Sequence, residues 1–216
     1  MNVEAARAQM LGQQIRAWEV LDDRVLEALE HTPRERFVPE DYRDLAFADT
    51  EIPLAHGQAM LAPKIEGRLL QALQVEPTDE VLEIGTGTGF LTACLARLAQ
   101  QVYSIDIFPE FVDSARAKVA TVGLGNVELD TGDALQLDLP GRFDAIAVTG
   151  STPALEDRFI RMLRPAGRLF VVVGRRPVME ARLITLLPTG GTTSQSLFET
   201  VLSPLINAER PEPFVL

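Results

Sequence analysis

The chain has 216 residues, is 46 % hydrophobic and 24 % charged, and carries a formal net charge of −11. That length fits one domain with a sizeable core, and the negative balance argues against a nucleic-acid partner or an anionic membrane surface. A single cysteine, Cys94, excludes an intrachain disulfide, and two histidines beside it argue against a Cys/His zinc site, so no metal is expected.

The N-terminus is charged and no apolar run is long enough to span a bilayer, so the expectation is a soluble cytoplasmic protein, monomer or dimer. Residues 3–18 predict an amphipathic helix with Met10, Leu11, Ile15 and Trp18 on one side. Asp22 or Asp23 can cap a second helix that turns Val25, Leu26 and Leu29 inward. Pro33 and Pro39 break the pattern, and the stretch between them reads as a turn-rich connection. This front piece is expected to pack over one end of a sheet.

Residues 49–63 have no clear period, and unstructured stretches of this length in compact domains often carry function. His56 and Gln58 flank Gly57, so both can face a ligand; the alternative is a surface loop with a solvated histidine. A helix follows over 64–74. The whole reads as a single domain: a helical front piece and loop over 1–76, and an α/β core over 77–216.

The core opens with Val81-Leu82-Glu83-Ile84-Gly85-Thr86-Gly87-Thr88-Gly89-Phe90 and then an apolar stretch at helical spacing, which predicts strand, Gly-rich turn and helix. Glycine lets a ligand approach the backbone, and the helix start presents free N–H groups. The glycine spacing differs from the dinucleotide fingerprint G-x-G-x-x-G. Glu83 before the turn would repel a pyrophosphate and suit an ammonium. The ligand that fits is S-adenosyl-L-methionine, which has an ammonium, a sulfonium and no phosphate; its spent form is S-adenosyl-L-homocysteine. A dinucleotide or a ligand-free turn are the alternatives. Cys94, inside the helical pattern, reads as a buried apolar residue rather than a nucleophile.

Gln101–Asp106 predicts a second strand ending in an acid about 20 residues beyond the turn, where α/β nucleotide sites place a carboxylate on the ribose hydroxyls. The alternative for Asp106 is a cap on the helix over 109–122. Asn126–Leu129 is a third strand, leading to Gly132-Asp133-Ala134. Asp133 can accept from an adenine amino group, with Ala134 leaving room for the ring; the alternative is a turn aspartate. Arg142–Thr149 is a fourth strand, and residues 150–153 lead into a helix to about Leu163. Residues 164–167 turn into the apolar strand 168–174. Two further strands, 179–187 and 196–202, flank a hairpin-like Pro188-Thr189-Gly190-Gly191. Together these predict a Rossmann-like, mostly parallel, seven-stranded sheet with an antiparallel edge and a helical N-terminal extension.

The glycine motif closely resembles the first motif of protein-L-isoaspartate O-methyltransferases, within the class I S-adenosylmethionine-dependent methyltransferases. The stretches Pro33-Arg34-Glu35-Arg36-Phe37-Val38-Pro39-Glu40, Tyr42-Arg43-Asp44, Ile52-Pro53-Leu54 and Gly57-Gln58 are similar to the family's front piece, which is its more specific part. The resemblance implies methylation of the free α-carboxylate of isoaspartyl residues in damaged proteins. It implies Glu83, Gly85, Thr86, Gly87 and Gly89 around the methionine part, Asp106 at the ribose, Asp133 at the adenine, and Gln58 near the transferring methyl, with Thr88, Ile107, Gly132, Ala134 and Thr149 also expected at the cofactor. His56, Ala59, Met60 and Leu61 would lie on the substrate side. There the family reads Gly-Gln-Thr-Ile-Ser, and this chain has Gly57-Gln58-Ala59-Met60-Leu61. Leu61 replaces the serine that the family uses to hold the acceptor carboxylate, which leaves no catalytic residue assigned. The acceptor is then a peptide or protein, or a small molecule of less polar character.

Overall fold

The computed structural model describes residues 2–208; the last residues of the expected domain, 209–216, lie outside them. Helix α1 (Val3–Gln9) is capped by the Asn2 side chain, but the predicted single helix over 3–18 does not continue. Met10–Ile15 winds more widely, as a π-helix, and Arg16–Trp18 more tightly, as a 3₁₀ turn ended by Glu19 at φ 61°. The reason lies in the apolar spacing. Met10 and Ile15 are five residues apart, about 140° around an α-helix at 3.6 residues per turn, whereas a wide turn brings both inward. Both are buried.

Helix α2 (Asp23–His31) is capped by Asp22, whose carboxylate accepts the Arg24 N–H at 2.9 Å, and it buries Val25, Leu26 and Leu29. The connection from Pro33 is helical in short 3₁₀ pieces (Arg34–Arg36 and Glu40–Leu45). Residues 49–63 are not structureless: β1 (Ile52–Pro53) and β2 (Ala59–Met60) form a small antiparallel hairpin around a tight turn at Ala55–Gly57. Helix α3 (Pro63–Leu73) follows with proline in its first turn.

The core elements are β3 (Glu80–Ile84), α4 (Phe90–Leu98), β4 (Gln101–Asp106), α5 (Pro109–Thr121), β5 (Val127–Thr131), β6 (Phe143–Thr152), α6 (Asp157–Arg161), β7 (Leu163–Arg175), β8 (Val178–Leu186) and β9 (Thr192–Glu199). They form one seven-stranded sheet in the order β5-β4-β3-β6-β7-β8-β9. The strands from β5 to β7 run parallel, and β8 and β9 complete an antiparallel meander. Alternation along the strands divides the core. Val81, Val102, Ala145, Ala147 and Phe170 pack with the helices of the front piece and α4, while Leu82, Ile84, Ile146, Val148 and Leu169 pack with Phe159 of α6 on the other face. The front piece therefore covers a face of the sheet, not an end, because α2 and α3 carry an apolar side broad enough to continue that core.

Three boundaries differ from the sequence expectation. Residues 150–152 extend β6, and the helix before Leu163 is only the five residues of α6. The 164–167 turn lies inside β7 as a bulge: Phe143 pairs with Leu163, but Ala145 pairs with Arg168, with Ala166 at φ 66°. The last strand is Thr192–Glu199 rather than 196–202, because the hairpin pairs Leu186 with Thr192 and zips from there. Polar β-formers on an edge strand give no alternation to read.

The sheet's two ends differ in character. At the start of the parallel strands Arg164 pairs with Asp144 and Glu80, and Arg168 with Asp79. At their carboxyl ends, where the chain leaves β3 toward β4 on one side of the sheet and β6 lies on the other, a crevice opens. That is where open α/β sheets bind ligands.

Candidate active site

The crevice encloses about 970 Å³ of space including its open mouth, at the upper end of the range for small-ligand sites. Its floor is the turn after β3. Gly85, Gly87 and Gly89 all have positive φ, at 96°, 51° and 82°. At two of them the crowding is equally decisive: a Cβ on Gly85 would sit 2.1 Å from Thr149 Oγ1, and one on Gly89 would sit 2.8 Å from Ala115 Cβ. Gly89 therefore shapes the entry of α4 and does not itself line the crevice. Thr149 holds the turn by donating its hydroxyl toward the carbonyls of Gly85 (2.8 Å) and Ile84 (3.0 Å).

Glu83 lies fully buried beneath this turn. Its Oε2 accepts the hydroxyls of Ser104 (2.6 Å) and Thr92, while Oε1 is buried with no hydrogen-bond partner among the described residues. Burial pushes the carboxyl up to about 8, against the pull of those two hydroxyls and with a further push from Asp106 and Glu66. A buried acceptor left open in a ligand-sized cavity calls for a donor from the ligand.

Asp106 ends β4. Its Oδ2 accepts the Gly87 N–H at 2.9 Å and its Oδ1 the Phe108 N–H at 3.0 Å. Burial raises this carboxyl, and the N–H groups of Gly87, Phe108 and Ile107 oppose the rise. It thus caps the following segment and also faces the crevice beside Ile107, leaving lone pairs free. Asp133 similarly accepts the Leu135 N–H at 2.9 Å as the cap of a 3₁₀ turn, and lines the far end with Gly132 and Ala134.

The near end is the β1–β2 hairpin. Gln58, Ala59, Met60 and Leu61 line it, with Met60 and Leu61 buried. Behind Leu61 lies a buried ion pair, Arg34 with Glu66. Arg34 also donates to the carbonyls of Leu61 (2.7 Å) and Ala46 (2.8 Å). Burial pushes the Glu66 carboxyl up, and Arg34 pulls it back. His56 does not face the crevice as the sequence suggested. Its ring stacks on Phe108 at a centroid distance of 4.0 Å and pairs with Glu110, because the left-handed turn at φ 56° swings the side chain toward α5.

Sequence reasoning missed several wall residues. Phe108 and Phe111 line the crevice with Asp106, and aromatics beside a strand-end carboxylate were a readable signal. Leu202, Ser203, Leu205 and Ile206 come from beyond β9 and carried no such signal. Five carboxyl residues line the crevice (Glu51, Glu66, Glu83, Asp106 and Asp133), with no lysine, arginine or histidine among its described lining residues. That field suits a cationic ligand.

The sequence profile described as protein-L-isoaspartate(D-aspartate) O-methyltransferase (PCMT) matches residues 5–207. Protein-L-isoaspartate O-methyltransferase 1 of Rhodopseudomonas palustris is 37 % identical over 217 aligned residues, covering 97 % of this chain and 88 % of that protein. The Myxococcus xanthus protein-L-isoaspartate O-methyltransferase is 40 % identical over 159 residues, 73 % of this chain and 74 % of the relative. Among solved structures, a Plasmodium falciparum chain crystallised with S-adenosyl-L-homocysteine has the same fold, with a TM-score of 0.80 at 19 % identity, over 92 % of this chain and 97 % of that one. The chain belongs to the protein-L-isoaspartate(D-aspartate) O-methyltransferase family.

Proposed function

We propose that this protein is an S-adenosyl-L-methionine-dependent O-methyltransferase that acts, as a single unit of front piece and α/β core, on the free α-carboxylate of isoaspartyl residues. The observation that carries the cofactor assignment is Glu83: a fully buried carboxyl with one open oxygen, under a glycine turn, in a crevice whose described lining holds carboxyls and no basic side chain. An ammonium donated to that oxygen satisfies it and favours its charged form. Asp106 would take the ribose hydroxyls and Asp133 the adenine amino group. Family membership carries the acceptor.

The sulfonium supplies an already activated methyl group. A carboxylate acceptor is ionised at neutral pH, so the protein needs no strong base. What its residues do is position and dehydrate. Met60 and Leu61 form a buried wall at the acceptor end, Arg34 fixes the Leu61 backbone, and Gln58 lies at the same end with its amide donating to the His56 carbonyl at 3.3 Å. Holding donor and acceptor in line and excluding water accounts for much of the rate in such transfers. The methyl ester so formed would close to a succinimide that reopens in part to normal aspartate, which is a repair of the backbone.

A specific observation favours a second reading of the acceptor alone. Ala59, Met60 and Leu61 offer no side-chain donor to a carboxylate, and a polar group desolvated without a partner costs roughly 1–3 kcal/mol. A less polar acceptor would fit that wall better. Incubation of the protein with methyl-labelled cofactor, an isoaspartyl peptide and its normal aspartyl twin separates the readings. Label on the isoaspartyl peptide alone supports carboxyl methylation; cofactor binding without transfer to it favours another acceptor or a non-catalytic binder. With Leu61→Ser and Ala59→Thr together, isoaspartyl transfer is expected to rise. No gain would count against the missing hydroxyls as its limit.

A further inference from the structure

The carboxyls that line the crevice are not equivalent. Asp106 accepts at both oxygens, from the N–H groups of Gly87 and Phe108. Asp133 also accepts at both, from the Leu135 N–H on one oxygen and from the amides of Gln136 (3.2 Å) and Asn207 (3.0 Å) on the other. Glu51 is exposed, and Arg176 opposes the rise that burial gives its carboxyl. Glu66 and Glu83 differ from these three. They are 2 % and 0 % exposed, and each has one oxygen bonded and one open. Glu83 Oε2 accepts the Ser104 and Thr92 hydroxyls, and its Oε1 has no partner among the described residues. Glu66 Oε2 accepts from Arg34, and no described residue donates to its Oε1.

Charge decides what belongs beside two such oxygens. Arg34 brings one positive charge to the pair, and its Nε and Nη2 are taken by the carbonyls of Ala46 and Leu61. One cation balances one buried carboxylate. The other carboxyl stays neutral by keeping its proton. Burial pushes Glu66 up to about 7 and Glu83 up to about 8, and Glu66 adds to the push on Glu83. A second cation entering the crevice can displace that proton and leave the buried charges balanced. Among the described residues no group of three acidic, histidine or cysteine side chains converges to hold a metal ion. An ammonium, with three N–H donors, can serve both open oxygens at once.

We propose that Glu66 is a second ammonium-binding residue of the cofactor site, which with Glu83 makes the crevice select its ligand by the amino group rather than by the carboxylate. This rests on the reading of the crevice as an S-adenosylmethionine site. Titration calorimetry at pH 7 compares S-adenosyl-L-homocysteine with its analogue lacking only the carboxylate and its analogue lacking only the amino group. The wild type should hold the first two within about tenfold of each other and the third at least about a hundredfold more weakly, the worth of two hydrogen bonds to charged groups. Glu66→Gln keeps the side chain's length and an acceptor for Arg34 but removes the charge. It should weaken both amino ligands roughly tenfold or more and leave the ligand without an amino group unchanged or tighter. Glu66→Asp, which keeps the charge, should retain the preference for amino ligands. Equal loss of all three ligands in Glu66→Gln, or no loss, overturns the proposal and leaves Glu66 a structural partner of Arg34. The wild type alone overturns it, with no variant needed, if it binds the ligand without an amino group as tightly as the one without a carboxylate. Failure of the wild type to bind S-adenosyl-L-homocysteine at all overturns the cofactor reading, and the proposal with it.

Discussion

Replacing Glu83 by glutamine is expected to make the protein more stable and less able to bind its cofactor. The carboxyl is fully buried and its ionisation is pushed from 4.5 up to about 8. Below pH 4.5 both the folded and unfolded chains hold the proton, and this group adds no pH dependence. Between 4.5 and about 8 the unfolded chain releases a proton that the folded chain keeps, so stability falls as pH rises. By pH 7 the accumulated loss is at most about 3 kcal/mol, at 1.36 kcal/mol per pH unit. Glutamine has the same shape, its carbonyl can accept the Ser104 and Thr92 hydroxyls, and it carries no such penalty. The neutral acid already places an O–H where the amide NH₂ would stand, so an unpartnered donor is common to both. The melting temperature of Glu83→Gln should therefore match the wild type near pH 5. It should exceed it increasingly toward pH 8, by roughly 2–4 °C per kcal/mol for a chain of this size. The same change should weaken S-adenosyl-L-homocysteine roughly tenfold or more, because a hydrogen bond to a charged group is worth about 1.5–3 kcal/mol. Wild-type binding near pH 7 should release a proton, seen as a heat that varies with the ionisation enthalpy of the buffer. A melting difference that does not change from pH 5 to 8, with unaltered ligand affinity, would refute the reasoning and make Glu83 a structural hydrogen-bond hub.

Gly89→Ala sets a Cβ against Ala115 at a backbone φ of 82°, so it should lower stability by roughly 1–3 kcal/mol from strain alone and weaken cofactor binding, read by denaturant unfolding and calorimetry. Arg34→Ala leaves Glu66 buried and unpaired, a loss of about 3–5 kcal/mol; Arg34→Met combined with Glu66→Leu should recover most of it, and a double variant no more stable than the single would show that the pair is not the source. Cys94 is fully buried, and burial pushes its thiol well above the ordinary range. A thiol reagent should therefore label it only in denaturant, and fast labelling of the folded protein would contradict its place in the core.

The strand-end wall of the crevice was legible because its pattern is local. Glu83, the alternate glycines, Asp106 and Asp133 each sit at the end of a strand, and strand ends in a parallel sheet converge without further instruction. The hairpin wall was legible only in part. Ala59, Met60 and Leu61, expected on the substrate side, and Gln58, expected near the transferring methyl, do line the crevice, but His56 turns away to Phe108 and Glu110. One left-handed residue decides that direction, and no periodicity reports it. The front helix shows the same limit: the positions of Met10 and Ile15 were read as inward, yet reaching the core together required a wide turn that an α-helical period does not contain.

By itself the sequence determined the parallel α/β core, the glycine turn and the acid just before it, since each follows from neighbours a few residues apart, and the family resemblance marked the missing hydroxyls at Ala59 and Leu61. The tertiary structure alone decided that Arg34 backs Leu61 from 27 residues away, that Glu66 faces the same crevice as Glu83, and that a strap from beyond β9 brings Asn207 to Asp133, 74 residues apart in the chain. Such pairs are set by how layers pack and where the chain returns, and local sequence pattern carries no record of that closure.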